Sequence, residues 1–214
     1  MEKRKFFFDK LLRGNKHSSI RYVSYSAVIA RSYAFARWKD QSNFLSADDV
    51  CDWTWVNENN EIQGMRCAER NVIFKQGDEY SLEVVSVPYW LRMDSMNLTG
   101  TLPQELEALS DVARMDFQSN PGLTGTLPAY DTMKDLKYLY VRECNLSGDI
   151  EVPLSTLGNM SLTRFYANDN QFTGKLPADV GAGMFKNLTN INVENNLLSG
   201  TIPTGVFALT GKVP

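Results

Sequence analysis

Histidine is nearly missing from this chain: 214 residues hold one, His17. A Ser–His–Asp type triad or a multi-histidine zinc site therefore cannot be built in the C-terminal two thirds of the sequence. Long apolar runs are missing too. The best stretch, "SAVIARSYAFA", is broken by Arg31 and falls well short of the roughly 18–20 residues that cross a bilayer. Phosphate-loop spacing is absent, since "GAGMFKN" (181–187) carries two glycines without the GxxxxGK[ST] order. "ANDN" and "ADDVCD" gather carboxylates without the spacing of a calcium loop and read as solvated turns. No kinase motif is present. Nothing here implies a cofactor, a metal or an enzyme, and any signalling output would lie on another chain or another part.

Charge is unevenly distributed. Residues 1–40 hold ten Lys/Arg against three Asp/Glu, a local +7, whereas the remainder is −10 and the whole chain −3. A basic arm thus precedes an acidic body, and its plainest reading is a solvated tail. "MEKRK" is a positive start, but "FFF" is too short for a typical secretory core. The Arg, Ser and Tyr richness that follows resembles an organelle transit peptide. An incomplete start is the other open reading.

What the sequence has in quantity is one phrase. "LTGTLP" occurs at Leu98 and again at Leu123, followed by "LSGDIEVP" at Leu146, "FTGKLP" at Phe172 and "LSGTIP" at Leu198. The glycines fall at Gly100, Gly125, Gly148, Gly174 and Gly200, at intervals of 25, 23, 26 and 26. Apolar pairs precede them by nine and seven residues at Leu91/Met93, Leu139/Val141, Phe165/Ala167 and Ile191/Val193, and the second copy slips by one at "SNPGLTG", giving Met115/Phe117. Their alternation has the period of a short strand with one buried face. An Asn follows at Asn120, Asn170 and Asn196, replaced by Cys144 in the third copy and Met96 in the first. An amide there can donate to and accept from backbone groups left open where the chain leaves the strand. Cys offers a weak donor and Met none, so the first copy should turn less well. Gly permits the tight path that follows, and Pro marks the far side, where a ladder is not needed.

The pattern LxLxxNxLxGxIP resembles the plant-type leucine-rich repeat, in five copies over roughly 91–203. The resemblance implies a right-handed α/β solenoid with a parallel β-sheet on its concave face and irregular or 3₁₀ segments on its convex face. It also implies a helical N-terminal cap with a "CxWxGVxC"-like element, matched by "CDWTWV" at Cys51 and "IQGMRC" ending at Cys67. Ile20, Val23, Ala27, Ala30 and Ala34 give a helical stripe, and Trp38, Trp53 and Trp55 would close the first turn. The expected organisation is a basic arm at 1–19, a cap at 20–90 and repeats at 91–214. A Cys51–Cys67 disulfide is implied by the family likeness, with free thiols as the alternative, and Cys144 reads as an inward thiol in place of Asn. The stretch 71–85 is longer than the usual link, and two strand-like runs around "QGDE" predict a small added hairpin. After Pro203 half a repeat is missing and no polar cap follows, so this end calls for missing repeats or a covering partner.

Four N-x-[ST] sequons stand at Asn97, Asn145, Asn159 and Asn187. The repeat consensus itself generates such triplets, but together with the cysteine pair they favour the secretory route and an extracellular or cell-surface location. Any membrane tether would lie outside this chain.

Side chains flanking the buried LxL pairs should line the concave face in columns about 4.8 Å apart. One column is Trp90, Arg114, Tyr138, Arg164, Asn190. The next is Arg92, Asp116, Tyr140, Tyr166, Asn192. A third is Asp94, Gln118, Arg142, Asn168, Glu194. The candidate ligand residues are Trp90, Arg92, Arg114, Asp116, Tyr138, Tyr140, Arg142, Arg164, Tyr166 and Asn168. Tyr, Trp and Arg dominate interface hot spots, although tyrosine also decorates ordinary strands. The expected function is non-catalytic recognition of a protein or peptide, with no nucleic acid involved. Two alternatives rest on the family likeness: inhibition of a cell-wall polysaccharide hydrolase, or a structural or adhesion role.

Overall fold

The computed structural model describes residues 54–56, 62–76, 79–158, 161–181 and 183–209. The expected basic arm, the helix at 20–38, Cys51 and Asn159 lie outside these residues.

Each LxL segment forms a strand of three residues that pairs in parallel with its equivalent one repeat away. The concave sheet contains β1 (Thr54–Val56), β2 (Ile62–Gln76), β3 (Glu79–Arg92), then β5 (Arg114–Asp116), β7 (Tyr138–Tyr140), β9 (Arg164–Tyr166) and β11 (Asn190–Asn192), in that spatial order. β1, β2 and β3 pair antiparallel, and every later pair is parallel. The hairpin read around "QGDE" is present and larger than foreseen. Its two strands are 15 and 14 residues long, and the end of β3 is itself the first repeat strand. β3 therefore runs through position 90/91 without interruption.

A second sheet was not foreseen. β4 (Thr99–Thr101), β6 (Gly122–Thr126), β8 (Asn145–Asp149) and β10 (Gln171–Thr173) pair in parallel along the flank of the solenoid. The repeated phrase is thus a turn and a short strand at once: its Leu or Phe points inward, and its Thr–Gly–Thr backbone bonds to the neighbouring copy.

Between the sheets the equivalent positions stack. Leu91, Met115, Leu139, Phe165 and Ile191 form one buried ladder, and Leu98, Leu123, Leu146 and Phe172 form another. Each such side chain contributes about 1.5–3 kcal/mol of burial, and no repeat could bury its face alone. The convex side carries 3₁₀ turns at Gln104–Ala108, Gly183–Phe185 and Thr204–Ala208. The third copy differs. Its inserted Glu151–Val152 makes room for an α-helix, α1 (Glu151–Gly158), which Asp149 starts by accepting the Glu151 amide at 2.8 Å.

The polar turn follows the sequence logic closely. Asn120, fully buried, donates to the carbonyls of Met93, Phe117 and Gln118 and accepts the amides of Met96 and Leu98. Asn170 and Asn196 repeat the pattern. The Cys144 thiol donates to the carbonyls of Phe117 and Arg142. The residue before each of these positions has a left-handed backbone: Ser95, Ser119, Glu143, Asp169 and Asn195, with φ of 52–57°. In the first copy, where Met96 replaces Asn, Asn97 is left-handed as well (φ 51). Asn is a residue type that adopts this region readily, so the first copy turns by a second left-handed residue.

Candidate functional site

The concave columns fall where the repeat counting places them. Trp90 pairs with Arg114, Arg114 with Tyr138, Tyr138 with Arg164 and Arg164 with Asn190. The second column pairs Arg92, Asp116, Tyr140, Tyr166 and Asn192 in the same way. Beyond the strands, amide-to-carbonyl bonds keep the third column aligned, with Ser95 donating to Gln118, Ser119 to Arg142 and Glu143 to Asn168. All ten candidate residues therefore share one face, from Trp90 at the hairpin end to Asn168 beyond β9.

At the hairpin end the contacts are between guanidinium groups and rings. The Arg114 guanidinium carbon lies 4.2 Å from the Trp90 ring centre and 4.8 Å from that of Tyr140. Arg66 covers Trp90 at 4.7 Å, and Arg92 stands at 5.8 Å. Arg66 was not foreseen as part of this face. It reaches the sheet through β2, whose antiparallel register sets Arg66 opposite Trp90. Toward the centre, the Tyr140 and Tyr166 rings stack at 5.0 Å with planes 20° apart, and Tyr138 meets Tyr140 at 6.4 Å and 46°. Such offset pairs are favourable beyond the area they bury.

Charges are largely paired within the face. Arg92 bonds Asp94 at 2.6 Å and Arg114 bonds Asp116 at 2.9 Å. Asp116 is 1% exposed, and one of its carboxylate oxygens, Oδ1, has no hydrogen-bond partner. Burial pushes the Asp116 carboxyl above its ordinary pKa, against the pull of the Arg114 hydrogen bond, and nearby Asp94 adds to the rise. Arg142 donates to Gln118 at 2.6 Å and stands 3.7 Å from Glu143. Asn168 is buried and donates to Asp169, which Asn195 also binds; these two amides hold the exposed Asp169 carboxyl below its ordinary pKa. Arg164, exposed, lies over Tyr138 at 5.7 Å, and the Tyr140 hydroxyl raises its already high pKa further.

Away from this face, Cys67 is disulfide-bonded, while Cys144 is a free, half-buried thiol that burial pushes up to about 11. Such a thiol is inert at neutral pH. Asn97, Asn145 and Asn187 are exposed. Asn97 and Asn145 lie along the flank sheet, and Asn187 follows a convex 3₁₀ turn. No group of three potential metal ligands is found among the described residues.

No known family profile matches the chain. Among curated proteins, the leucine-rich repeat receptor-like serine/threonine-protein kinase RGI4 of Arabidopsis thaliana is 31% identical over 125 residues. That match covers 52% of this chain and 11% of the relative, so the chain spans about a ninth of that protein's length. Among solved structures, the ectodomain of the receptor kinase SOBIR1 from Arabidopsis thaliana aligns over 88% of this chain and 89% of its own, with a TM-score of 0.59 and 23% identity. The ectodomain of GASSHO1/SCHENGEN3, solved in complex with CASPARIAN STRIP INTEGRITY FACTOR 2, aligns over 86% of this chain and 20% of its own, with a TM-score of 0.62 and 20% identity. A chain of the BIR3–SERK2 complex covers 84% of this chain and is covered over 86% of its own, with a TM-score of 0.57 and 20% identity. Repeat and fold together give the chain a leucine-rich-repeat solenoid, similar in fold to these receptor-kinase ectodomains.

Proposed function

We propose that the chain is a non-catalytic recognition module that binds a protein or peptide on its concave face, outside the cell. The observation that carries this reading is the continuous surface of Trp90, Arg114, Tyr138, Tyr166 and Arg164 on four hydrogen-bonded strands. Rings and guanidinium groups there are held by one another and by the sheet. A partner would meet large, pre-ordered side chains and would lose little entropy in fixing them. Two structural neighbours were solved in complexes, one with CASPARIAN STRIP INTEGRITY FACTOR 2 and one as a chain of the BIR3–SERK2 complex, which supports protein or peptide ligands for this chain. An extracellular location agrees with the ectodomain neighbours and with the Cys67 disulfide. No helix among the described residues is long and apolar enough to cross a membrane.

The test is to pan a displayed library of short random peptides against the full chain, then measure the enriched peptides on Tyr138→Ala/Tyr166→Ala. Both tyrosines are only half-buried, so the fold should survive. Binding should weaken about tenfold or more at an unchanged unfolding midpoint. Peptides that bind the variant equally well would place recognition elsewhere and overturn the reading.

A further inference from the structure

The β2–β3 hairpin outgrows the solenoid that it caps. β3 meets β5 only at Trp90–Arg92, and β1 meets β2 only at Ile62–Gly64. From Ala68 to Gln76 on β2 and from Glu79 to Val87 on β3, the two strands pair with each other and, among the described residues, with no further strand. At the rise of an extended chain, this part reaches about 30 Å beyond the repeat strands. Ala68, Glu69, Asn71 and Leu82 are exposed along it, Leu82 at 68%. A two-stranded ribbon is marginally stable by itself in water, and its open edges present backbone N–H and C=O groups that template another strand.

The two edges differ. The β3 edge leads into β5 and the repeats, so a strand added there shares its side with the solenoid. That strand also carries Pro88, a residue without an N–H. The β2 edge lies on the side away from every repeat strand. Its sequence, "AERNVIFKQ" (68–76), has β-branched and aromatic residues at the centre and charges of opposite sign on either side. Turned about a two-fold axis through Val72, this segment meets itself antiparallel. Val72 then stands opposite Val72, Asn71 opposite Ile73 and Arg70 opposite Phe74. Glu69 stands opposite Lys75 of the second copy, and Lys75 opposite Glu69 of the second copy. Side chains alternate between the two faces, so such an axis has to pass through a residue position. Centring it on Asn71 or Ile73 loses both opposite-charge pairs, and centring it on Arg70 sets two arginines against each other, which is unfavourable.

We propose that the β2 edge is a homodimer interface, in which two copies of this chain pair Ala68–Gln76 antiparallel about Val72. The join leaves each solenoid on the far side of its own β3 and both concave faces uncovered. A two-fold interface of this kind closes at two copies, whereas β2 of one copy laid on β3 of the next would propagate without closing. The dimer carries two recognition faces, yet its pairing is independent of what those faces bind.

Sedimentation equilibrium of the full chain over a series of concentrations should show monomer and dimer with no larger species. Glu69→Lys or Lys75→Glu alone sets like charges opposite each other at both ends of the join and should weaken the dimer about tenfold or more. The double variant Glu69→Lys/Lys75→Glu restores both pairs with their signs exchanged and should dimerise nearly as the native chain does. Val72→Cys should cross-link two copies under mild oxidation, and Ile73→Cys, whose opposite position is Asn71, should not. Tyr138→Ala/Tyr166→Ala should leave the dimer unchanged, which separates this interface from the concave one. A chain that stays monomeric, an open series of larger oligomers, single charge variants that dimerise like the native chain, a double variant no better than the single ones, or no cross-link at position 72 would each overturn the proposal.

Discussion

Asn120 accepts the amide of Leu98 at 3.0 Å across the repeat boundary, whereas the amide of Leu123, the equivalent of Leu98 one copy later, is bonded to the backbone carbonyl of Asn120 at 2.9 Å. The difference comes from one extra residue in "NPGLTG", which folds the Leu123 amide back on its own turn. Asn170 and Asn196 serve Leu146 and Phe172 as Asn120 serves Leu98. The third copy needs no amide oxygen for Leu123 at this place, and Cys144 suffices, its thiol donating to the Phe117 and Arg142 carbonyls while its sulfur faces the Asn120 backbone amide. Asn120→Ala should then cost about 3–5 kcal/mol, because it strands several buried backbone groups, and Cys144→Ala about 1 kcal/mol. Urea unfolding of the two variants checks this; equal losses would mean that the thiol carries an acceptor role of its own.

The flank sheet sets a second contrast. Gly125 has φ +80, and a Cβ built there would stand 2.8 Å from the Thr101 methyl of the previous copy. Gly200 has a similar backbone, φ +83, but its Cβ would meet only the Lys175 Cβ at 3.5 Å. Alanine at either position pays a left-handed cost of about 1–2 kcal/mol, and Gly125→Ala adds a clash. Gly125→Ala should therefore destabilise more than Gly200→Ala, and Thr101→Ser should recover the difference without recovering the shared part. Thermal unfolding of the three variants and the Thr101→Ser/Gly125→Ala double variant reads both terms.

The period, the buried ladders and the concave columns were legible because every repeat states them again, and a count along the chain fixes the register. Arg66 was not legible. It enters the face from an antiparallel strand, and a shift between Arg66 and Cys67 sets that register, which no repeat marks. The flank sheet was hidden because its glycines read as turn residues, and only stacked copies reveal that Thr99–Thr101 pairs with β6. The left-handed positions vary among Ser, Glu, Asp and Asn. No residue type announces them; the Asn ladder imposes that conformation from outside.

Asp116 links the concave face to pH. Its carboxyl is raised above the ordinary 3.8 by burial, so the folded state holds the proton more tightly than the unfolded state. The resulting stabilisation is complete below the ordinary value and is lost as pH rises through the raised one. Asp116→Asn, which carries no titrating proton, should lack this loss. Its stability relative to the native chain should rise as pH climbs from the ordinary 3.8 through the raised value, as measured by urea unfolding at each pH. A flat or falling difference would show that the Arg114 ion pair outweighs the burial.

Glycans, if the chain takes the secretory route, should decorate the solenoid without blocking its concave face. Asn97 precedes β4, Asn145 begins β8 and Asn187 follows the Gly183–Phe185 turn, so all three leave the sheet of Tyr138, Tyr140 and Tyr166. Intact mass before and after an N-glycan-removing enzyme, with peptide mapping, should place sugar on these three exposed asparagines. Reductant, supplying two electrons with two protons, should open the Cys67 disulfide and add the mass of two hydrogen atoms. Free thiols and unmodified asparagines on chain purified from its native source would place it in a reducing compartment. They would also remove the extracellular part of the proposed function while leaving the concave chemistry to be tested on its own.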